Sequence, residues 1–406
     1  MAQKNFDILV VGNGVVGLSA ACTLKMLSFD VAIISAFQDG LKEKRHTSER
    51  NLTIVESSRR FLNAIGVWKT LRNSSVGKYY KIDVRDQTSE ESIRFDTPLG
   101  FDGPMGWVVV ESVLVDTLNY LVEDVTRFYD LKSVNNPNEG PVEINLGNGN
   151  KAFGELVLFT DSLYPEIRQG LGLDFKAKSY DQTGIVLDIK TEKPHQNVAR
   201  QWFLKEGVLA FLPKFEENLC SVVFSVPDAT AVAVKKYSLA ELSDSLNRSS
   251  ELALGKVRAL GLPSFFPLKR GLASNWIKNR CLLVGGAAHA VHPLAGLGLN
   301  LSLMDVACLA ECLRSSKLKR YESLVGDLNY YERWRKSESV ALLMSTEGLL
   351  KFFLQPMFKS KKIRGKLLKS FGKLDRLKEK IVRQAMGLDG DLPSLVHQKD
   401  SMGRVE

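Results

Sequence analysis

The sequence predicts an α/β fold: a parallel-sheet domain, an antiparallel-sheet domain inserted into it twice, and a helical C-terminus. Three observations carry this. The chain opens with a strand, a glycine turn, a helix and a second strand. Lys81–Phe95 and Lys176–Val226 alternate in hydropathy with turn residues between, the two-residue period of strands. From about Ser337 onward helical spacing dominates. The expected division assigns 1–75, 98–175 and 277–345 to the first domain, 76–97 and 176–276 to the second, and 346–406 to a basic helical region.

In the opening unit, Asp7–Val11 is an apolar strand, Leu18–Leu27 an Ala- and Leu-rich helix, and Val31–Ile34 the next strand. A right-handed crossover makes the two strands parallel. The turn between them, GNGVVG, places Gly12, Gly14 and Gly17 in the GxGxxG pattern. The first glycine permits the tight turn, the second lets backbone approach a pyrophosphate, and the third lets helix and strand pack closely. The helix N-terminus then offers free N–H groups to phosphates. Placed directly after a strand and opening a helix, the motif points to a Rossmann-like dinucleotide site, the alternative being a tight turn of purely structural purpose.

Composition narrows the remaining classes. At 406 residues and 44% hydrophobic content, the chain can bury a large core, and 25% charged residues are ordinary for a folded protein. The five cysteines form no CxxC pair, which argues against a disulfide framework or zinc ribbon and for a reducing compartment. The opening Met1–Asp7 lacks the apolar core of a secretion signal, so a cytoplasmic location is expected. The net charge of +9 is local: Lys351–Arg383 holds twelve basic residues against Asp375 and Glu379, leaving the rest near neutral. Cys281–Met304 contains no Asp, Glu, Lys or Arg. Its histidines, Pro293, Asn300 and four glycines still read better as strand, loop and helix than as a membrane span. His289 and His292 are expected to structure a loop rather than bind a metal, and no metal site is expected. His46, His195 and His397 are isolated and expected at the surface; Cys308 and Cys312 share a helical face expected to point inward.

Leu282–Asp305 reads LLVGGAAHAVHPLAGLGLNLSLMD, and it resembles the third FAD-binding segment of the class A flavin monooxygenases, most closely the ubiquinone-biosynthesis ring hydroxylases. Further segments are similar in consistent order: RNLTIVESSRRFLNAIGVW from Arg50, Gly106–Glu111, Ala199–Pro213 and Ala385–Pro393. The resemblance implies FAD held by the Gly12/Gly14/Gly17 turn, with Arg50 beside the pyrophosphate and the loop His292–Gly298 approaching the flavin ring. It implies Ser35, Asp161, Gly286, Pro293, Gly296, Gly298 and Asn300 as further cofactor-binding positions, and names no catalytic side chain. The implied reaction is hydroxylation of a polyprenyl phenol with NAD(P)H and O2, with other ubiquinone-biosynthesis proteins as possible partners.

The chain departs from that family at informative positions. Ser35 stands where an acidic residue ordinarily binds ribose, Ser162 replaces the glycine after Asp161, and Pro165 replaces a serine. Gly286 replaces the aspartate that accepts from the ribityl chain, and Leu297 replaces a glutamine. Losing the charged acceptor costs about 1.5–3 kcal/mol and the serine about 1 more, together roughly 10²–10³ in affinity. Two readings follow: a working enzyme with a weaker flavin, or a flavin-poor accessory protein of the same pathway.

Ile363, Leu367, Phe371, Leu374, Leu377 and Ile381 share about a third of a helical wheel, with lysines and arginines opposite. One basic amphipathic helix over 362–383 is therefore expected. It would either lie on an anionic membrane surface, at the cytoplasmic side of the inner membrane, or pack its apolar face on the protein body. Nucleic acid is not expected, since no aromatic residues interleave the charges.

Overall fold

The computed structural model describes residues 4–36, 50–72, 75–87, 91–205, 207–294, 296–314, 318, 321–354 and 361–397. Five parallel strands form the centre of the first sheet, in the order Cys281–Leu283, Lys151–Phe159, Asn5–Val11, Val31–Ser35, Thr126–Tyr129. Asn5–Val11 and Val31–Ser35 read as near-continuous apolar runs because these central strands are buried along most of their length. The first helix, Val15–Met26, packs against two others, Glu111–Leu121 and Leu297–Leu313.

The second sheet has eight strands and a core of its own, built from Ile185, Leu187, Trp202, Phe211, Val222 and neighbours. Its pairings are antiparallel, as the alternation predicts, with one exception. Lys81–Asp86, from the first insertion, lies parallel to Val198–Leu204 from the second. Val257–Leu272 continues the sheet within the expected 176–276, and His289–Ala290, beyond that range, pairs onto it. Asn51–Val55, Gly106–Val110 and Val76–Tyr79 form a third sheet of three strands. Asn51 Nδ2 ties it to the second sheet through Asp188 Oδ1 at 2.9 Å and Ser221 Oγ at 3.1 Å.

The helical C-terminus departs from the single helix expected over 362–383. The chain forms two, Lys361–Gly372 and Asp375–Ala385, separated at Lys373 and Leu374, where Leu374 leaves helical geometry with ψ 70°. Glycine at 372 removes the side chain that would oppose the break and weakens helix continuation by about 1 kcal/mol. The apolar stripe is thereby split. Leu368, 5% exposed, and Phe371 turn into a cluster with Ile93, Phe203 and Phe353, whereas Leu374, Leu377 and Ile381 are 51%, 42% and 41% exposed. Among the described residues no helix is long and apolar enough to cross a membrane.

Two histidine expectations change. His195 is buried rather than superficial: its Nε2 lies 3.1 Å from the carbonyls of Lys214 and Glu216, and its Nδ1 accepts from Asn197 N–H. It fastens a turn whose polar backbone groups need partners. His397 is partly buried with Nε2 on Leu392 O, and His46 lies outside the described residues. Cys308 and Cys312 are buried, as the helical face predicts.

The close approach of the first helix to its strand sets a test. A Cβ on Gly17 would fall 2.1 Å from Gly12 O, a backbone atom that cannot yield cheaply. Gly17→Ala is expected to lower stability in urea unfolding by about 1–3 kcal/mol.

Candidate cofactor site

The C-terminal ends of the parallel strands share one edge of the first sheet, the position where open α/β sheets bind ligands. Val11 runs into the glycine turn, Phe159 into Thr160–Asp161–Ser162, and Leu283 into Gly285–Ala288. Thr160 N–H and Oγ1 both donate to Val11 O at 3.0 Å, and Val284 N–H donates to Phe159 O at 2.9 Å. Three segments distant in sequence are thus bonded side by side.

Gly12, at φ +124°, has no room for a side chain: a Cβ would sit 2.3 Å from Thr160 Oγ1 and 2.8 Å from Asp161 Oδ2. Gly14 differs. It is exposed at the N-cap of the first helix, and a Cβ there would meet nothing within 4 Å. Asp161 accepts from Leu163 N–H at 2.8 Å, and burial raises its carboxyl, partly offset by that bond and by Arg168. Arg168 is itself buried and donates to Ser162 O at 3.1 Å and to Ala287 O at 3.2 Å. Its guanidinium therefore joins two of the three strand-end loops. Ser35, at the end of the second strand, is buried, and its hydroxyl has no hydrogen-bond partner among the described residues.

The third loop turns on Gly285, at φ +61°, whose N–H donates to Asp305 Oδ2 at 3.0 Å. Asp305 is fully buried and also meets His289 Nε2 and Arg335 Nε, each at 2.7 Å. Burial alone would raise its carboxyl; the two basic partners outweigh that and hold it below the usual carboxylate range. Sequence reasoning missed this residue. The available signal was a lone acid in an otherwise uncharged run ending at Ala310, which must find partners if buried. Among the described residues no group of three or more metal-ligating side chains gathers.

Beyond the histidines, Pro293 accepts from Gly296 N–H at 3.2 Å, and Gly296, left-handed at φ +63°, caps the Leu297–Leu313 helix. A Cβ on Gly296 would lie 2.7 Å from Thr53, so this loop is pressed against Asn51–Val55. Gly298 stands in the first turn of the helix and is less crowded. Asn300 fixes the same contact: its Oδ1 accepts from Val55 N–H at 2.9 Å, and its Nδ2 donates to Thr53 O at 2.8 Å and Gly296 O at 2.9 Å. Both amide donors are spent on the protein, which makes Asn300 a clamp on the loop. Arg50 precedes this strand with an exposed guanidinium 3.7 Å from Glu111. The two halves of the site meet where Gly285 faces Val16 of the first helix and Ser302 of the Leu297–Leu313 helix.

His292, buried, is held by Gln182, whose Oε1 lies 3.1 Å from its Nε2. An amide oxygen only accepts, so the imidazole donates there, and its Nδ1 is a buried acceptor without a partner among the described residues. Tyr180 packs edge-on against the ring at 5.0 Å and bonds Glu347.

Three of these features suit an FAD: Gly14 leaves open space at a helix N-terminus, Ser35 presents an unclaimed hydroxyl, and Gly286 is exposed with nothing within 4 Å of a Cβ. The comparisons with known proteins agree. A family model described as an FAD binding domain matches residues 161–333. The ubiquinone hydroxylase UbiL of Rhodospirillum rubrum is 28% identical over 95% of this chain and 90% of its own. These similarities support an FAD-dependent monooxygenase. The human mitochondrial ubiquinone biosynthesis monooxygenase COQ6 is also 28% identical, over 86% of this chain and 85% of its own. Among solved structures, the flavin monooxygenase fold is matched by p-nitrophenol 4-monooxygenase PnpA from Pseudomonas putida. The TM-score is 0.76 at 16% identity, over 96% of this chain and 99% of that one.

Burial of His292 in this monooxygenase gives a pH test. Its imidazole is held down to about 4, against an ordinary 6.5. The folded state refuses a proton that the unfolded chain takes up, so this contribution is intact above pH 6.5 and declines as pH falls towards about 4. Replacing His292→Asn is expected to flatten stability over that window in urea unfolding at stepped pH. An unchanged slope would assign the acid sensitivity elsewhere.

Proposed function

We propose that this chain hydroxylates the aromatic ring of a polyprenyl phenol in ubiquinone biosynthesis, taking electrons from NAD(P)H and oxygen from O2. The observation that carries this reading is the bonding of three strand-end loops around the start of the Leu297–Leu313 helix. Bound FAD supplies the redox and oxygen-activating chemistry.

The protein's part is to bind, orient and exclude water. Backbone N–H groups at Gly12–Gly14 face a pyrophosphate, with Gly17 holding the helix close enough for them to do so. Ser35 gives its hydroxyl to the ribose, and Arg50 lies on the phosphate side. Asp161 and Gly286 border the ribityl chain, where Gly286 offers only its backbone. Pro293, Gly296 and Gly298 carry backbone towards the ring, and Asn300 keeps that loop from shifting. The Leu297–Leu313 helix has no acidic residue in its first turn, so its positive end is free to favour negative charge on the ring. The second sheet, joined through Asn51 to Asp188 and Ser221, closes the substrate side against water.

A flavin spectrum, either as purified or acquired on titration, is expected of the isolated protein. With it should come phenol-dependent NAD(P)H oxidation and a product one oxygen atom heavier. Absence of binding at saturating FAD would overturn the reading. Gly286 has room for a side chain, so Gly286→Asp is expected to tighten FAD by about 10- to 100-fold, the worth of one charged acceptor. Fluorescence titration measures it, and an unchanged affinity would place the ribityl chain elsewhere.

A further inference from the structure

We propose that the outer face of the last helix, Asp375–Ala385, with the residues leading into it, docks on an anionic lipid bilayer. Its inner face is already occupied. Val382 and Met386 are buried in a cluster with Tyr79, Met105 and Val108. Leu374, Leu377 and Ile381, at spacings of three and four, form a separate row that points away from that cluster and is about half exposed. Beside the row, on the same outward side, stand exposed Lys373, Arg376 and Lys380. Lys366 and Lys369 extend the positive field along the preceding helix.

The break at Lys373–Leu374 produces this surface. A continuous helix would have carried all six apolar residues on one face. The division turns Phe371 inwards against Phe95, at 6.4 Å between ring centres, and leaves the last three uncovered. Leu99, 84% exposed, adds to the apolar area nearby: it sits two residues before Phe101, which packs against the same cluster as Val382.

Charge selects the occupant. An isologous contact between two copies would set lysine and arginine against lysine and arginine. A nucleic acid would satisfy the cations and leave three aliphatic side chains in water. An anionic lipid surface takes both, headgroups to the cations and acyl boundary to the aliphatic row. The proposal deepens the reading above, since a polyprenyl phenol is dissolved in the bilayer and must be met there.

The test uses the full FAD-loaded chain and vesicle co-sedimentation. Vesicles of phosphatidylcholine mixed with phosphatidylglycerol are expected to bind it, with partitioning about tenfold weaker on phosphatidylcholine alone or at high salt. The triple variant Leu374→Ser, Leu377→Ser, Ile381→Ser and the double variant Lys373→Glu, Lys380→Glu should each lose about tenfold while keeping the flavin spectrum. Equal binding to both vesicle types, or binding indifferent to both variants, overturns the proposal. So does a dimer that the triple variant dissociates. Turnover of a short-chain, water-soluble phenol by the same preparations reports the enzyme reading separately. Activity without vesicle binding sinks the docking surface alone, and vesicle binding without activity sinks the hydroxylase alone.

Discussion

The site is organised around one buried carboxylate. Asp305 is the one fully buried charge of the Leu297–Leu313 helix, and its oxygens receive Gly285 N–H, His289 and Arg335. The contacts come from the turn after the Cys281–Leu283 strand, from the histidine loop and from the Tyr321–Leu354 helix. A buried charge of this kind is tolerated only with its partners in place, and removing one partner leaves the others exposed to the full cost of desolvation. The ion network therefore fixes the loop, the middle of the Leu297–Leu313 helix and the packing of the long helix as one unit. Arg168 ties that same loop to the one that follows Lys151–Phe159, donating to Ala287 O and Ser162 O.

With the framework held by residues behind it, the surface facing the cofactor is built largely from backbone and small side chains. That explains how Ser35 and Gly286 can replace acidic residues without disturbing the fold. Neither carboxylate would have been part of the Asp305 network or the Arg168 bridge. On the proposed site, a neutral hydroxyl and a bare backbone would grip the cofactor less strongly than charged acceptors.

Much of this was legible because its determinants are local. The GNGVVG turn follows an apolar strand directly, so the first crossover could be placed from spacing, and the glycine-rich run from Gly285 to Gly298 marked a loop rather than a membrane span. Contacts that depend on distant segments were not legible. Asn300 clamps Val55 and Thr53, Asp305 finds Arg335, and His195 meets two backbone carbonyls; no local pattern encodes any of these pairings. The C-terminal helix shows a further limit. Periodicity ran unbroken from Ile363 to Ile381, and the break after Gly372 came from one weak residue and from the body of the protein receiving only the first half of the stripe.

The parallel pairing of Lys81–Asp86 with Val198–Leu204 has a consequence for how the chain reaches this state. Its two strands are separated in sequence by residues 87–197, which include the strand Lys151–Phe159 of the first sheet. During synthesis, the hairpin Lys81–Asp96 emerges long before its neighbour and waits with an unpaired edge. Such edges are templates for intermolecular pairing. Joining distant strands also slows assembly, because loop closure must precede the contacts that reward it. The doubly inserted architecture thus places its period of greatest aggregation hazard between the birth of the first insertion and that of the second.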